Sequence, residues 1–198
     1  MINANADAMG IIFPNNYDKF VPELVSERLM ASIPFASRYR MIDFLLSSMV
    51  GCGIDKIEVL VRENYHSLVD HLGGGREWDL SRKNGGLSIF PPFAQKSIGS
   101  MGGGRVEALA NILPVLKKQK EKYVIMADTN IAANFDFNAL IAQHVKTDAD
   151  ITFAYTKEEL PQELTGAKDA SKGLYYTLKL DGDKVEDIYI NKQEQGVQ

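Results

Sequence analysis

The residues best suited to chemistry lie in one stretch, R-L-M-A-S-I-P-F-A-S-R-Y-R-M-I-D-F-L-L-S-S-M from Arg28 to Met49. Arg28 opens it, and Arg38, Arg40 and Asp43 follow in quick succession. Cations beside a carboxylate can position an anion or fix a loop. Physics alone favours the second, because half-buried Arg–Asp networks hold loops in many folds. Placement of these groups depends on the residues after Pro34. Met41, Leu45, Ser48 and Met49 recur at helical spacing with Phe44 beside them, which predicts an amphipathic helix. Arg38, Arg40 and Asp43 then sit at or near its start, and the Gly51/Gly53 pair ends it.

The rest of the chain supplies the elements around that helix. Ala8–Phe13 (A-M-G-I-I-F) and Lys56–Val61 (K-I-E-V-L-V) read as buried strands, with a polar loop at Pro14–Glu23. Asn64–Leu72 has helical spacing, with Asn64 as its cap. Gly86–Phe90 is a strand running into Pro91-Pro92, and Gly99–Gly104 is a glycine-rich loop. A helix follows from about Arg105 to Lys120, kinked or restarted by Pro114. Tyr123–Ala127 is nearly all apolar, as expected of a strand at the centre of a parallel sheet. Phe137–Val145 reads as helix and Asp150–Tyr155 as strand. Leu174–Leu180 and Val185–Ile190 alternate around Asp181-Gly182-Asp183, a hairpin signal.

Strand and helix alternate through the first three quarters of the chain. The expected fold is therefore α/β: a three-layer, mostly parallel, Rossmann-like sheet with a β-hairpin near the C-terminus. In such sheets ligands bind beyond the carboxyl ends of the strands, at a topological switch point. The loops Pro14–Glu23, Pro91–Gly104 and Asp128–Asp136 should converge there.

Composition narrows the function classes. The chain has 198 residues, 45% of them hydrophobic and 24% charged, which suits a soluble surface around a substantial core. A formal charge of -4 argues against nucleic acid, and no apolar run reaches transmembrane length. The N-terminal M-I-N-A-N-A-D-A lacks the basic and apolar regions of a secretion signal, so a cytoplasmic location is the default. Cys52 is the single cysteine, and it forms no zinc pattern with His66, His71 and His144.

The segment P-F-A-S-R-Y-R-M-I-D-F resembles the PFGGKYRLIDF segment of bacterial glucose-1-phosphate adenylyltransferases. G-G-R-E-W-D-L at Gly74–Leu80 and G-L-S-I-F-P-P at Gly86–Pro92 are similar to the GlgD-type subunit of that family. The resemblance runs from about Met9 to the last residue and implies that residues 1–198 form the nucleotidyltransferase-like domain. Family members normally continue into a left-handed β-helix.

That family transfers an adenylyl group from ATP to glucose 1-phosphate, releasing pyrophosphate. The reaction needs a phosphate loop, a metal carboxylate and an acceptor pocket. The family's glycine loop GGGxGxRLxPLT is replaced after the first strand by P-N-N-Y-D-K-F-V-P. Without glycine the backbone cannot approach phosphates closely. Met30 replaces a lysine of the R-x-K-P segment, in which Arg28 matches the arginine. The S-G-D-H carboxylate falls on Thr129 of Ala127-Asp128-Thr129-Asn130. Asp128, one place early, is the metal candidate, and turn capping is its equally weighted bland role. G-R-V-E-A-L resembles the family's G-T-A-D-A-V, which makes Gly103, Gly104 and Glu107 nucleotide-binding candidates together with Gln95 of P-P-F-A-Q-K. Trp78 with Asp79, Arg82 and Lys83 could bind a sugar phosphate, but packing is favoured. The E-K-P sugar-phosphate lysine is represented only by Lys192.

The resemblance thus implies a subunit of glucose-1-phosphate adenylyltransferase in glycogen biosynthesis, regulatory or catalytically impaired. The alternative is an active sugar-phosphate nucleotidyltransferase with an atypical phosphate loop. The implied partner is the catalytic subunit, in a homo- or hetero-oligomer, with a nucleotide or sugar phosphate as possible ligand. Magnesium is implied as cofactor if the chain is active, and none otherwise.

Overall fold

The computed structural model describes residues 7–14, 18, 21–83, 85–91, 105–157 and 175–190. Two compact units divide the chain, Met1–Thr152 and Phe153–Gln198.

In the first unit β1 (Ala8–Phe13), β4 (Lys56–Leu60), β5 (Gly86–Phe90) and β6 (Tyr123–Asp128) form a parallel sheet in the order β5-β4-β1-β6. A small antiparallel pair, β2 (Pro34–Phe35) with β3 (Tyr39–Arg40), precedes α1 (Met41–Gly51). The other helices are α2 (His66–Leu72), α3 (Arg105–Leu116) and α4 (Phe137–Thr147). Strand alternation sorts the core into two faces. Ala8, Ile12, Ile57, Val59 and Ile125 pack with α1, α2 and α4, while Met9, Ile11, Phe13 and Leu60 pack with Ile112 of α3. This is the expected three-layer α/β arrangement, with α3 alone covering its face among the described residues. Gly10 lets α1 approach β1, since a Cβ there would lie 2.7 Å from the Met49 sulfur.

The second unit contains the expected hairpin, β7 (Tyr176–Asp181) antiparallel to β8 (Lys184–Ile190), turning at Gly182-Asp183. Gly182 has φ +59°, the left-handed conformation that such a turn asks of glycine.

Several details differ from the sequence reading. The central strand is β1, flanked by β4 and β6, and β6 is the outermost strand among the described residues. Its Val124 and Met126 are accordingly 47% and 54% exposed, so its all-apolar run does not mark a fully covered strand. Asp150–Tyr155 joins no ladder among the described residues. Alternation supplies a face but not a hydrogen-bonded partner, and a strand needs both. Asn64 does not cap α2. It adopts φ +48°, and the helix begins after Tyr65. The helix through Pro114 neither breaks nor restarts, but it stops early, at Leu116.

One buried acid sits in the α3-facing layer. Glu58 is 3% exposed, and its Oε2 meets no hydrogen-bond partner among the described residues. Burial pushes its carboxyl above the usual value, against a hydrogen bond from Ser88 and the charge of Lys56. A carboxyl raised in the folded state favours folding most when protonated. That contribution is complete below about pH 4.5 and is lost as pH rises through the raised value. Glu58→Gln is therefore expected to raise the melting temperature more at pH 8 than at pH 4. Equal shifts at both pH values would show that Glu58 carries no such burden.

Candidate functional site

The sheet reverses its winding between β1 and β6. The chain moves outward from β1 to β4 and β5, then returns through α3 to β6 on the other side of β1. The carboxyl ends of β1 and β6 are therefore the switch point at which such folds bind ligands. Phe13 and Asp128 are Cα partners there. Thr129 comes next, 2% exposed, and its Oγ1 donates to the Pro14 carbonyl at 3.4 Å. The loops after β1 and β6 thus meet, as their position in the sequence requires. Pro91–Gly104 lies mostly outside the described residues, but Arg105, directly after it, reaches the same place. Its Nη2 donates to Asp128 Oδ2, and its guanidinium carbon stands 5.9 Å from the centre of the Phe13 ring.

The loop after β6 is fixed from beneath by α1. Ser48 Oγ donates to the carbonyls of Phe44 (2.8 Å) and Ala133 (3.3 Å) and accepts from the Phe135 N–H at 3.1 Å. Asp136 caps α4, its Oδ1 accepting from Asn138 N and Ala139 N. One serine on the face of α1 thus holds the loop that follows β6.

The arginine–carboxylate set is placed at the other end of α1. Asp43 is 7% exposed. Its Oδ2 accepts from the Arg40 N–H at 2.9 Å, and its Oδ1 lies 2.7 Å from His71 Nε2. Arg40 Nη1 donates to the carbonyl and the hydroxyl of Ser67 at 2.7 and 2.6 Å. These contacts tie the start of α1 to α2. Arg38 is exposed, its guanidinium 5.8 Å from the centre of the Tyr39 ring, and Arg28 is half-buried in the loop before β2.

Met30 begins a short 3₁₀ turn, Met30–Ser32, and its N–H donates to Asp18 Oδ1 at 2.7 Å. Glu107 is exposed in the first turn of α3. Gln95, Gly103, Gly104 and Lys192 lie outside the described residues. Trp78 packs: its Nε1 donates to Ser47 Oγ at 3.3 Å and its ring stands edge-on to His71. Arg82 is committed to Asp79 and Asp55, both at 2.6 Å. The sequence reading did not single out Arg105 or His71 as site residues. The available signals were an arginine where the resembled G-T-A-D-A-V has threonine, and a histidine on the helical face of Leu68 and Leu72.

The described residues do not form a magnesium site by themselves. Magnesium asks for several oxygen ligands in near-octahedral array. Here Asp128 is held by a guanidinium, and Thr129 has turned to a backbone carbonyl. No group of three His, Cys, Asp or Glu side chains gathers among the described residues. Nor is any described helix long and apolar enough to cross a membrane.

A parallel α/β sheet whose winding reverses at β1 and β6 defines a doubly wound domain, a class that binds its ligands at the switch point. The chain belongs to the nucleotidyl transferase family, whose model matches residues 23–167. It is 36% identical over 151 residues to the glycogen biosynthesis protein GlgD of Geobacillus stearothermophilus, covering 75% of this chain and 43% of that protein. It is 35% identical over 133 residues to the glucose-1-phosphate adenylyltransferase of Thermomicrobium roseum, covering 66% of this chain and 31% of that enzyme. The chain thus spans less than half the length of these curated relatives. A solved structure from Bacillus anthracis, assigned as a glucose-1-phosphate thymidylyltransferase in complex with sucrose, superposes with a TM-score of 0.64 at 13% identity. It covers 96% of this chain and 70% of that one. At that identity the likeness is one of fold.

Proposed function

We propose that this chain acts in glycogen biosynthesis as a regulatory or catalytically impaired subunit-type relative of glucose-1-phosphate adenylyltransferase. Its partner is a catalytic homologue, the assembly forms ADP-glucose and pyrophosphate from ATP and glucose 1-phosphate, and the location is cytoplasmic. The observation that carries the reading is Thr129. It occupies the place of the family's metal carboxylate, and its buried hydroxyl is bonded to the Pro14 carbonyl. A hydroxyl spent on the backbone cannot replace a carboxylate on a metal. The loss of the glycine loop after Phe13 and of a lysine at Met30 points the same way. Losing several electrostatic contributors together removes most catalysis, at about 3 kcal/mol each. The relation to GlgD supports the pathway assignment.

The second reading is an active sugar-phosphate nucleotidyltransferase with an atypical phosphate loop. Asp128 at the switch point favours it.

ADP-glucose formation from ATP and glucose 1-phosphate separates the two. The chain alone should give no turnover above background. Added to a catalytic glucose-1-phosphate adenylyltransferase, it should change that enzyme's kcat or KM. Turnover by the purified chain alone would overturn the proposal.

A further inference from the structure

We propose that Arg105 is the resident cation of this cleft. Its guanidinium is paired with Asp128, one residue before the position of the family's metal carboxylate, and a phosphate-bearing ligand is held there without metal. The inference rests on the family reading of the cleft and extends it to a ligand class and a mode of binding.

Location is the first argument. The pair lies at the carboxyl ends of β1 and β6, beside Phe13, at the switch point of the sheet. The second is the order of burial. The Asp128 side chain is 16% exposed and that of Arg105 38%, so a ligand arriving from solvent meets the cation before the carboxylate. The third is charge. Met30 and the glycine-free loop have removed cationic and N–H partners for phosphate, and arginine has replaced the threonine of the resembled G-T-A-D-A-V. A fixed positive charge has appeared at the site where others were lost.

The chemistry of the two cations differs in a way that can be measured. Magnesium is strongly hydrated and needs several oxygen ligands, whereas a guanidinium is always charged and offers a planar fork that matches phosphate oxygens. Asp128 accepts from one arm of that fork, and the Phe13 ring lies beside the guanidinium. Both contacts limit its orientation before a ligand arrives, which lowers the ordering cost of binding. A divalent ion would have to displace the guanidinium from Asp128 and would find no second carboxylate at Thr129.

The test is calorimetric titration of the full chain with ATP, once in EDTA and once in magnesium. The wild-type chain should bind ATP in EDTA at least as tightly as in magnesium. Arg105→Gln should weaken that binding at least tenfold. Asp128→Asn should strengthen it at least threefold, because the guanidinium loses its internal counter-charge. Melting curves for both variants establish that they fold. ATP binding that requires magnesium, weaker binding by Asp128→Asn, an unchanged Arg105→Gln, or no binding in EDTA would each overturn the proposal. The two proposals fail separately. Loss of ATP binding in EDTA leaves the non-catalytic reading standing, while turnover by the chain alone sinks that reading and leaves a metal-independent ATP affinity intact.

Discussion

Gly86→Ala is expected to cost about 3–5 kcal/mol, a large part of the stability of a small domain. Gly86 opens β5 at φ +82°, directly after Gly85 at +80°. A Cβ at Gly86 would lie 2.3 Å from the Leu80 carbonyl oxygen, a backbone atom that no rotamer change can move aside. The same carbonyl accepts from the Leu87 N–H at 3.0 Å, so relieving the clash sacrifices that bond. The damage spreads because Leu80 is packed in turn against Gly75, whose own Cβ position is 2.9 Å from Leu80 Cβ and 3.0 Å from Leu87 Cβ. The two GlgD-like segments, Gly74–Leu80 and Gly86–Pro92, therefore meet where Leu80 packs on Gly86 and Leu87. Gly73→Ala is the control. Its φ is +51°, but nothing lies within 4 Å of its Cβ position. With ψ at -125° it lies outside the left-handed helical region, so Ala there should cost about 1–3 kcal/mol of backbone strain alone, without the steric clash. Urea denaturation of both variants checks the account, and equal midpoints would remove the steric part of it.

The strands were legible in the sequence wherever an apolar run coincided with a position between two layers. Ala8–Phe13 and Gly86–Phe90 form as read, and Lys56–Val61 is one residue shorter. Sheet order was less legible. The run Tyr123–Ala127 has the composition of a central strand, yet position depends on the crossovers, which place β1 between β4 and β6. The I-T-F-A-Y alternation from Ile151 shows why pattern alone fails. Ile151, Phe153 and Tyr155 are exposed and unpaired with any described strand, because a ladder is a property of two segments.

The turn before α1 is a different case. The resembled segment carries two glycines where this chain has Ala36 and Ser37, which suggests a changed turn. The backbone keeps left-handed φ values at both, +47° and +78°, and Arg38 N bonds to Ala36 O at 3.1 Å. Pairing of Pro34 with Arg40 and of Phe35 with Tyr39 imposes that conformation on residues that disfavour it. The position of Asp128 and Thr129 at the end of β6 was legible in the sequence. The Arg105–Asp128 pair was not, because its partners are 23 residues apart and meet only once α3 has packed on the sheet.

Asp43→Ala is expected to cost about 2–4 kcal/mol. The substitution strands two groups at once: the Arg40 N–H at the start of α1, and His71 of α2. Asp43 lies on the buried side of α1 between Ile42 and Leu45, so water does not readily replace the carboxylate. His71→Ala removes one of the same contacts, and the double variant should therefore lose about 1 kcal/mol less than the sum of the singles. Additive losses would mean that the 2.7 Å Asp43–His71 contact carries no coupling. Asp43→Asn separates scaffold from ligand site. The amide keeps an acceptor for Arg40 N and should fold at a cost of about 1 kcal/mol. If Arg40 and Asp43 bind an anion, that variant will change ATP affinity severalfold. The geometry gives the opposite expectation, a change of less than twofold, because Arg40 Nη1 is committed to Ser67 and Asp43 to Arg40 and His71. The stretch that most resembles a catalytic motif then acts through α1. Asp43 fixes the start of the helix, Ser48 on the same helix holds the loop after β6, and that loop is the wall behind Asp128.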